Sequence, residues 1–206
     1  MYSRFYKRLI DIVASTVVGV AAAPLILSIA VVSRIMLGSP VLFKQTRAGW
    51  RGRPFALYKF RTMRNLFDKN GDPLPDEERL TRYGELLRSS SVDELPEIIN
   101  VLKGEMSLVG PRPLLMQYLP RYTIRQTQRH EVKPGITGWA QVMGRNKLAW
   151  DERLELDVWY VENESFLLDA RILLLTILRV VMRTGIHQPG HATMEEFRGS
   201  GPREKH

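Results

Sequence analysis

Two neighbouring carboxylates, Asp93 and Glu94, stand in the stretch SVDELPE, residues 91–97, between a serine run and a proline. Arg88 precedes them, and the rigid sequence GPRP at 110–113 follows, with Arg112 held between two prolines. An ionised aspartate can attack a phosphorus centre to give an acyl phosphate. Adjacent carboxylates can also divide labour, one as nucleophile or metal ligand and the other as acid/base. Arginine forks match phosphate oxygens. Arg88, Lys103, Arg112 and Arg145 fall at expected loops or helix ends. Lys59 and Arg61 are candidates for the same pocket, with surface solvation the ordinary role of each taken singly.

The acid pair also has a structural use. Ser91-x-x-Glu94 matches a capping box. With Ser91 as N-cap, however, Pro96 would stand at the fifth helical position, where its missing N–H already matters. With Asp93 as N-cap, Pro96 falls in the first turn, whose N–H groups are free. The spacing therefore predicts a helix over 94–102 capped by Asp93, at a terminus whose partial positive charge favours carboxylate and phosphate.

Around this centre, 41–45 and 55–62 read as a β-hairpin joined by RAGWRGRP, and 65–75 as a loop. Residues 76–88 and 150–162 have helical spacing, while 133–146 reads as an ordered, loop-rich segment. Residues 166–183 form an apolar helix carrying Arg171, Arg179 and Arg183, either in the core or at an interface with snorkelling arginines. Trp139 reads as a packed loop aromatic, with stacking on a base or sugar as the other reading. His130, His187 and His191 are not spaced as a metal set.

The chain of 206 residues carries a formal charge of +8, which calls for an anionic partner: nucleic acid, an acidic membrane surface or a phosphorylated substrate. Nucleic acid is disfavoured, because neither a recognition helix nor aromatics interleaved with a basic stripe are present. The absence of cysteine removes disulfides, thiolate nucleophiles and cysteine-based zinc sites. Residues 12–33 are uncharged over about 22 positions, long enough to span a bilayer. Pro24 sits near their middle, where it kinks or breaks a helix. Positive charge flanks both ends, with Arg4, Lys7 and Arg8 before and Arg34, Lys44, Arg47, Arg51 and Arg53 after. A spanning helix usually shows a one-sided excess. A helix that dips in, bends at Pro24 and returns to the same face fits best, ahead of a plain span or a soluble buried hairpin.

FYKRLIDI at 5–12, the apolar helix with Pro24, YKFRTM at 58–63, LRSSSVDELPEIINVLKGEMSLVGPRP at 87–113, KPGITGWAQVMGRN at 133–146 and the spacing of Asp157, Tyr160 and Asp169 form a larger pattern. It resembles, over nearly the whole chain, the small monotopic polyprenol-phosphate phosphoglycosyl transferases, or bacterial sugar transferases. LPDEERL and the chain length look most like the enzymes that start bacterial protein N-glycosylation. The resemblance implies a mainly α fold with a small β-hairpin (α+β). Residues 1–37 would form a re-entrant, Pro-kinked membrane helix, 38–186 a compact catalytic domain on the cytoplasmic face of the bacterial inner membrane, and 187–206 a poorly ordered tail.

The implied activity moves a sugar-1-phosphate, expected to be of an N-acetylated amino sugar, from a UDP-sugar to undecaprenyl phosphate, releasing UMP through an aspartyl-phosphosugar intermediate. By resemblance Asp93 is the nucleophile and touches Mg²⁺, and Glu94 is its acid/base partner. Lys59, Arg88, Arg112 and Arg145 hold phosphates, and Pro24 makes the membrane break. The implied partners are UDP-sugar, undecaprenyl phosphate and membrane lipids, not nucleic acid, with homo-oligomerisation left open. Two alternatives stand beside it: a hexose-1-phosphate transferase for capsule or exopolysaccharide, and a non-catalytic, membrane-anchored scaffold that binds nucleotide or lipid. One departure is Ala23, where many relatives carry a serine whose hydroxyl could satisfy a freed backbone group.

Overall fold

A computed structural model of the chain describes residues 4–144, 148–182 and 196–199. Helix α1, Arg4–Leu37, is followed by the antiparallel hairpin β1, Leu42–Ala48, and β2, Pro54–Phe60. Short helices α2, Asp76–Arg79, and α3, Arg82–Ser89, lead through a 3₁₀ turn, Val92–Glu94, into α4, Glu97–Lys103. Strand β3, Ser107–Val109, helix α5, Ile124–Thr127, strand β4, Gly135–Thr137, and helix α6, Trp139–Met143, come next. Helices α7, Trp150–Glu162, and α8, Phe166–Val181, complete a mainly helical fold with two small sheets.

Helix α1 reverses the pattern of a soluble amphipathic helix. Val13, Val17, Val20, Leu27, Val31 and Ile35 are exposed, whereas its buried residues are Asp11, Ser15, Ile29 and Ser33. By length and composition it can cross a membrane. Its 34 residues are helical throughout, with Pro24 inside the helix. A single proline removes one hydrogen bond and can bend a helix without ending it.

The polar stripe of α1 fastens it to the rest of the protein. Lys7 Nζ donates to Tyr160 Oη at 2.9 Å and Asp169 Oδ2 at 2.5 Å. Arg8 donates to the Val101 and Leu102 carbonyls at 2.5 and 2.8 Å, satisfying the C-terminal end of α4. Asp11 Oδ1 accepts from Ser107 Oγ and Leu108 N, both at 3.0 Å. Near the other end, Ser33 Oγ meets Tyr83 Oη at 2.8 Å, and Ile29 packs with Phe60 and Leu87. Lys7 and Arg8 thus serve the fold as well as the charge balance. Asp11→Ala is expected to lower stability by about 1–3 kcal/mol, because it strands buried donors. A thermal melt of the detergent-held protein measures it.

Three sequence expectations change here. The helix over 76–88 divides, because Thr81 caps α3 by accepting from Gly84 N at 3.0 Å. Asp93 is not the N-cap of α4: Pro96, at φ −62°, takes that place, and Asp93 lies in the preceding 3₁₀ turn. Proline is preset for a helix start and needs no N–H partner. The expected loop over 133–146 contains β4, paired in parallel with β3 through Ser107↔Gly135 and Val109↔Thr137, and then α6. Gly110 and Gly135 make that crossing feasible, since a Cβ on Gly135 would lie 2.1 Å from Gly110 N. Of the tail expected at 187–206, only residues 196–199 are described, and Phe197 there is buried against Leu114, Tyr118 and Leu154.

Candidate active site

Asn100, fully buried on α4, fixes the floor of the site. It accepts from Tyr58 N at 3.1 Å and donates to the Ala56 carbonyl at 2.7 Å, clamping α4 to β2. That clamp sets Lys59, on β2, beside the turn that carries the acid pair. Lys59 Nζ lies 2.5 Å from Glu94 Oε1 and 3.2 Å from Glu97 Oε1. Arg112, delivered by GPRP just after β3, pairs with Glu94 Oε1 through Nη2 and lies 3.4 Å from Oε2 through Nη1. Arg88, in the last turn of α3, donates from Nε to Thr62 Oγ1 at 3.0 Å and contributes its charge to the surroundings of Asp93. The turn itself is set by Ser91, whose φ of 56° is left-handed. A strained non-glycine residue of this kind often marks a functional segment.

The three carboxylates differ in basicity. Burial, and then the neighbouring Glu94 charge, push Asp93 up to about 6. The same two causes push Glu97 up to about 7. Burial also opposes ionisation of Glu94, but Arg112 and Lys59 overcome it and hold that carboxyl well below the usual range. The Glu94 charge in turn holds the Arg112 guanidinium firmly protonated. Glu94, expected as the acid/base, is therefore the weakest base of the set while these cations grip it.

A cleft of about 580 Å³ opens over the site. Arg88, Glu94 and Arg112 line one part; Val18 and Leu25 of α1, Leu95, Ile98 and Val180 give it an apolar wall. Leu25 adjoins Pro24, so the proline region of α1 borders the same space. With cationic and apolar side chains both in its lining, the cleft can accept a molecule that carries anionic and apolar parts.

The structure thus brings Lys59, Arg88, Asp93, Glu94 and Arg112 together. Arg61 turns away, donating to the Ser39 carbonyl at 3.1 Å and to that of Leu37. Lys103 does too, donating to Tyr58 Oη at 3.0 Å on an exposed face. Trp139 is packed, stacked on Trp159 at 5.1 Å. His130 is buried with Nδ1 3.2 Å from the Gly49 carbonyl. Arg145, Arg183, His187 and His191 lie outside the described residues.

Sequence reasoning missed Glu97, Arg129 and Arg153, and gave Asp157, part of the recognised pattern, no role. Arg129 donates to Asp157 Oδ2 at 2.7 and 3.1 Å and to the Arg112 carbonyl at 2.7 Å, bracing the chain at Arg112. Arg153 and Arg179 add charge to the cleft wall. Glu97 was legible in principle, standing one helical turn beyond the acid pair; the distant Arg129–Asp157 pair was not.

Among the described residues no group of three or more His, Asp or Glu side chains is arranged to hold a metal. A magnesium ion bound through one carboxylate and substrate phosphates needs no such cage, and Asp93, outside the Lys59–Arg112 grip, suits that mode.

The profile of the bacterial sugar transferase family matches residues 2–183. The chain belongs to this family. This bacterial sugar transferase is 56% identical to the sugar transferase EpsL of Bacillus subtilis (strain 168), itself uncharacterized, over 95% of this chain and 96% of that one. It is 42% identical to the UDP-glucose:undecaprenyl-phosphate glucose-1-phosphate transferase of Xanthomonas campestris pv. campestris, over 85% of this chain and 38% of the relative. With the UDP-N-acetylgalactosamine-undecaprenyl-phosphate N-acetylgalactosaminephosphotransferase of Aeromonas hydrophila it shares 38% identity, over 88% of this chain and 45% of the relative. This sugar transferase spans nearly all of EpsL but less than half the length of the two relatives whose sugars are named.

Proposed function

We propose that the protein transfers a sugar-1-phosphate from a UDP-sugar to undecaprenyl phosphate, releasing UMP through a covalent phosphosugar on Asp93. The supporting observation is the buried Asp93 carboxyl next in sequence to Glu94, which lines a cleft walled by both cationic and apolar side chains. The Asp93 carboxylate attacks the phosphorus that bears the sugar, and the bond from that phosphorus to the UMP oxygen breaks, UMP leaving with the electron pair. An oxygen of undecaprenyl phosphate then attacks the same phosphorus, and the aspartyl oxygen leaves as the free carboxylate. Arg88 and Arg112, with Lys59 and Arg145, hold phosphate oxygens and balance the charge that builds on them. Mg²⁺, touched by Asp93, would supply further charge neutralisation on the diphosphate when bound.

The grip on Glu94 gives this chemistry an order. Phosphate oxygens compete with Glu94 for Arg112 and Lys59. As they draw those cations away, the Glu94 carboxylate regains basicity and accepts the proton of the lipid phosphate. Asp93 must be ionised to attack, so transfer is lost as pH falls through about 6.

The membrane reading follows from how α1 docks. Arg8 and Asp11 at one end and Ile29 and Ser33 at the other fasten to the same body. A simple crossing would carry that body into the bilayer. The arrangement supports residues 1–37 dipping into one leaflet and returning, with 38–186 as the catalytic domain at the cytoplasmic face of the inner membrane. Single cysteines near positions 3 and 40, in a chain that has none, are expected to label from the same side; labelling from opposite sides rejects this topology.

Glucose and N-acetylgalactosamine relatives keep both the hexose and the amino-sugar readings in play. Incubating nanodisc-held protein with Mg²⁺, undecaprenyl phosphate and a panel of UDP-sugars tests the function. UMP release with one sugar and formation of its lipid diphosphate are expected, whereas a nucleotide- or lipid-binding scaffold releases none.

A further inference from the structure

Glu97 is a buried carboxyl that the proposed chemistry leaves without a task. Its side chain is 2% exposed, on the face of α4 that meets β2, one turn before Asn100. Among the described residues, Lys59 is the cation within reach of its carboxylate, at 3.2 Å. Arg47 of β1 faces the same wall, but its Nη2 is committed to Gln45 Oε1 at 2.6 Å. Lys59 is therefore bracketed by two carboxylates, Glu94, which lines the cleft, and Glu97, which is not among its lining residues.

A lysine has a flexible four-carbon stem and a compact charge, so a partner that loses its hold leaves the ammonium free to wander. If substrate phosphate takes Lys59 and Arg112 from Glu94, one of the two contacts on Lys59 is lost. The contact with Glu97, a buried side chain that does not line the cleft, is not in competition with phosphate. Asn100 fixes the backbone of β2 to α4, and Glu97, from the same helix face, fixes the side chain.

We propose that Glu97 is a positioning residue, a buried tether that keeps Lys59 over the reacting phosphate while Glu94 is released to act as base. The tether rests on the transfer reaction proposed above. Its direct ion pair is with Lys59, with Arg112 adding a longer-range attraction, and it touches no substrate.

A double-mutant cycle on the full-length, nanodisc-held protein tests it, using wild type, Glu97→Gln, Lys59→Met and the double variant. Glu97→Gln keeps shape and polarity but removes the charge. It is expected to lower kcat about tenfold with little change in KM for the UDP-sugar, because an untethered Lys59 is misplaced in the transition state. In the Lys59→Met background the same change is expected to have no further effect. Glu97→Asp, which keeps the charge, is expected to recover part of the loss seen in Glu97→Gln.

Equal losses in both backgrounds, or an unchanged kcat in Glu97→Gln, overturn the tether. Thermal melts of the same proteins read the contact without catalysis: non-additive shifts support it and additive shifts overturn it. Absence of UMP release from wild type would instead overturn the transfer reaction, leaving the melts to decide the tether.

Discussion

Asp93→Asn is expected to lower transfer by about four orders of magnitude or more, since removing a nucleophile leaves only binding and electrostatic effects. UMP release under saturating UDP-sugar measures the loss. The variant should not lose its fold. The folded-state pKa of Asp93, about 6, lies above the ordinary carboxylate value, so its ionised form is disfavoured by burial and by Glu94. Its contribution to stability is full below the ordinary carboxylate range and is lost as pH rises through about 6. Asparagine cannot ionise and escapes that loss. Near pH 8 the variant is expected to be more stable by about 1–3 kcal/mol, and near pH 4 to equal wild type. Thermal melts at the two pH values separate this result from simple misfolding. Lower stability at both would contradict the burial of an ionisable Asp93.

Arg112→Met is expected to have the second largest effect, and to strike activity and stability together. Loss of a guanidinium aimed at developing phosphate charge should lower kcat/KM by about 10²–10³. It also leaves Glu94 with Lys59 as its remaining cationic partner within salt-bridge reach among the described residues. Breaking a fully buried pair costs about 3–5 kcal/mol. The Arg112 side chain is 36% exposed, so solvent screening reduces the expected loss to about 1–3 kcal/mol. Adding Glu94→Gln to Arg112→Met removes the stranded charge and should restore much of the stability without restoring activity. Rescue of both would show that Arg112 serves only to neutralise Glu94.

The site was legible because its residues lie in two compact motifs. DELP and GPRP announce themselves by an acid pair and by an arginine locked between prolines. Lys59 was legible as one cation of a hairpin, but not its choice of partner. Only the packing of α4 against β2, through Asn100, separates Lys59 from Arg61, which the loop after α1 takes instead. The expected cap at Asp93 failed for a local reason: Ser91 enters the left-handed region and turns the chain before proline starts the helix. β3 and β4 were hidden because strands of three residues carry no readable period, and their register depends on glycines far apart in sequence. Helix α1 was plain from its apolar run, yet the use of Lys7, Arg8 and Asp11 as docking groups depends on partners that sequence spacing does not name.

In the proposed mechanism Asp93 takes the phosphosugar before any lipid acceptor is bound. The intact mass of nanodisc-held protein, incubated with Mg²⁺ and its UDP-sugar but without undecaprenyl phosphate, tests this most directly. One added phosphosugar on the peptide containing Asp93 is expected, with equimolar UMP, and it should discharge when undecaprenyl phosphate is added. Product formation with both substrates, but no added mass and no UMP with the UDP-sugar alone, would mean direct transfer and contradict the covalent role of Asp93.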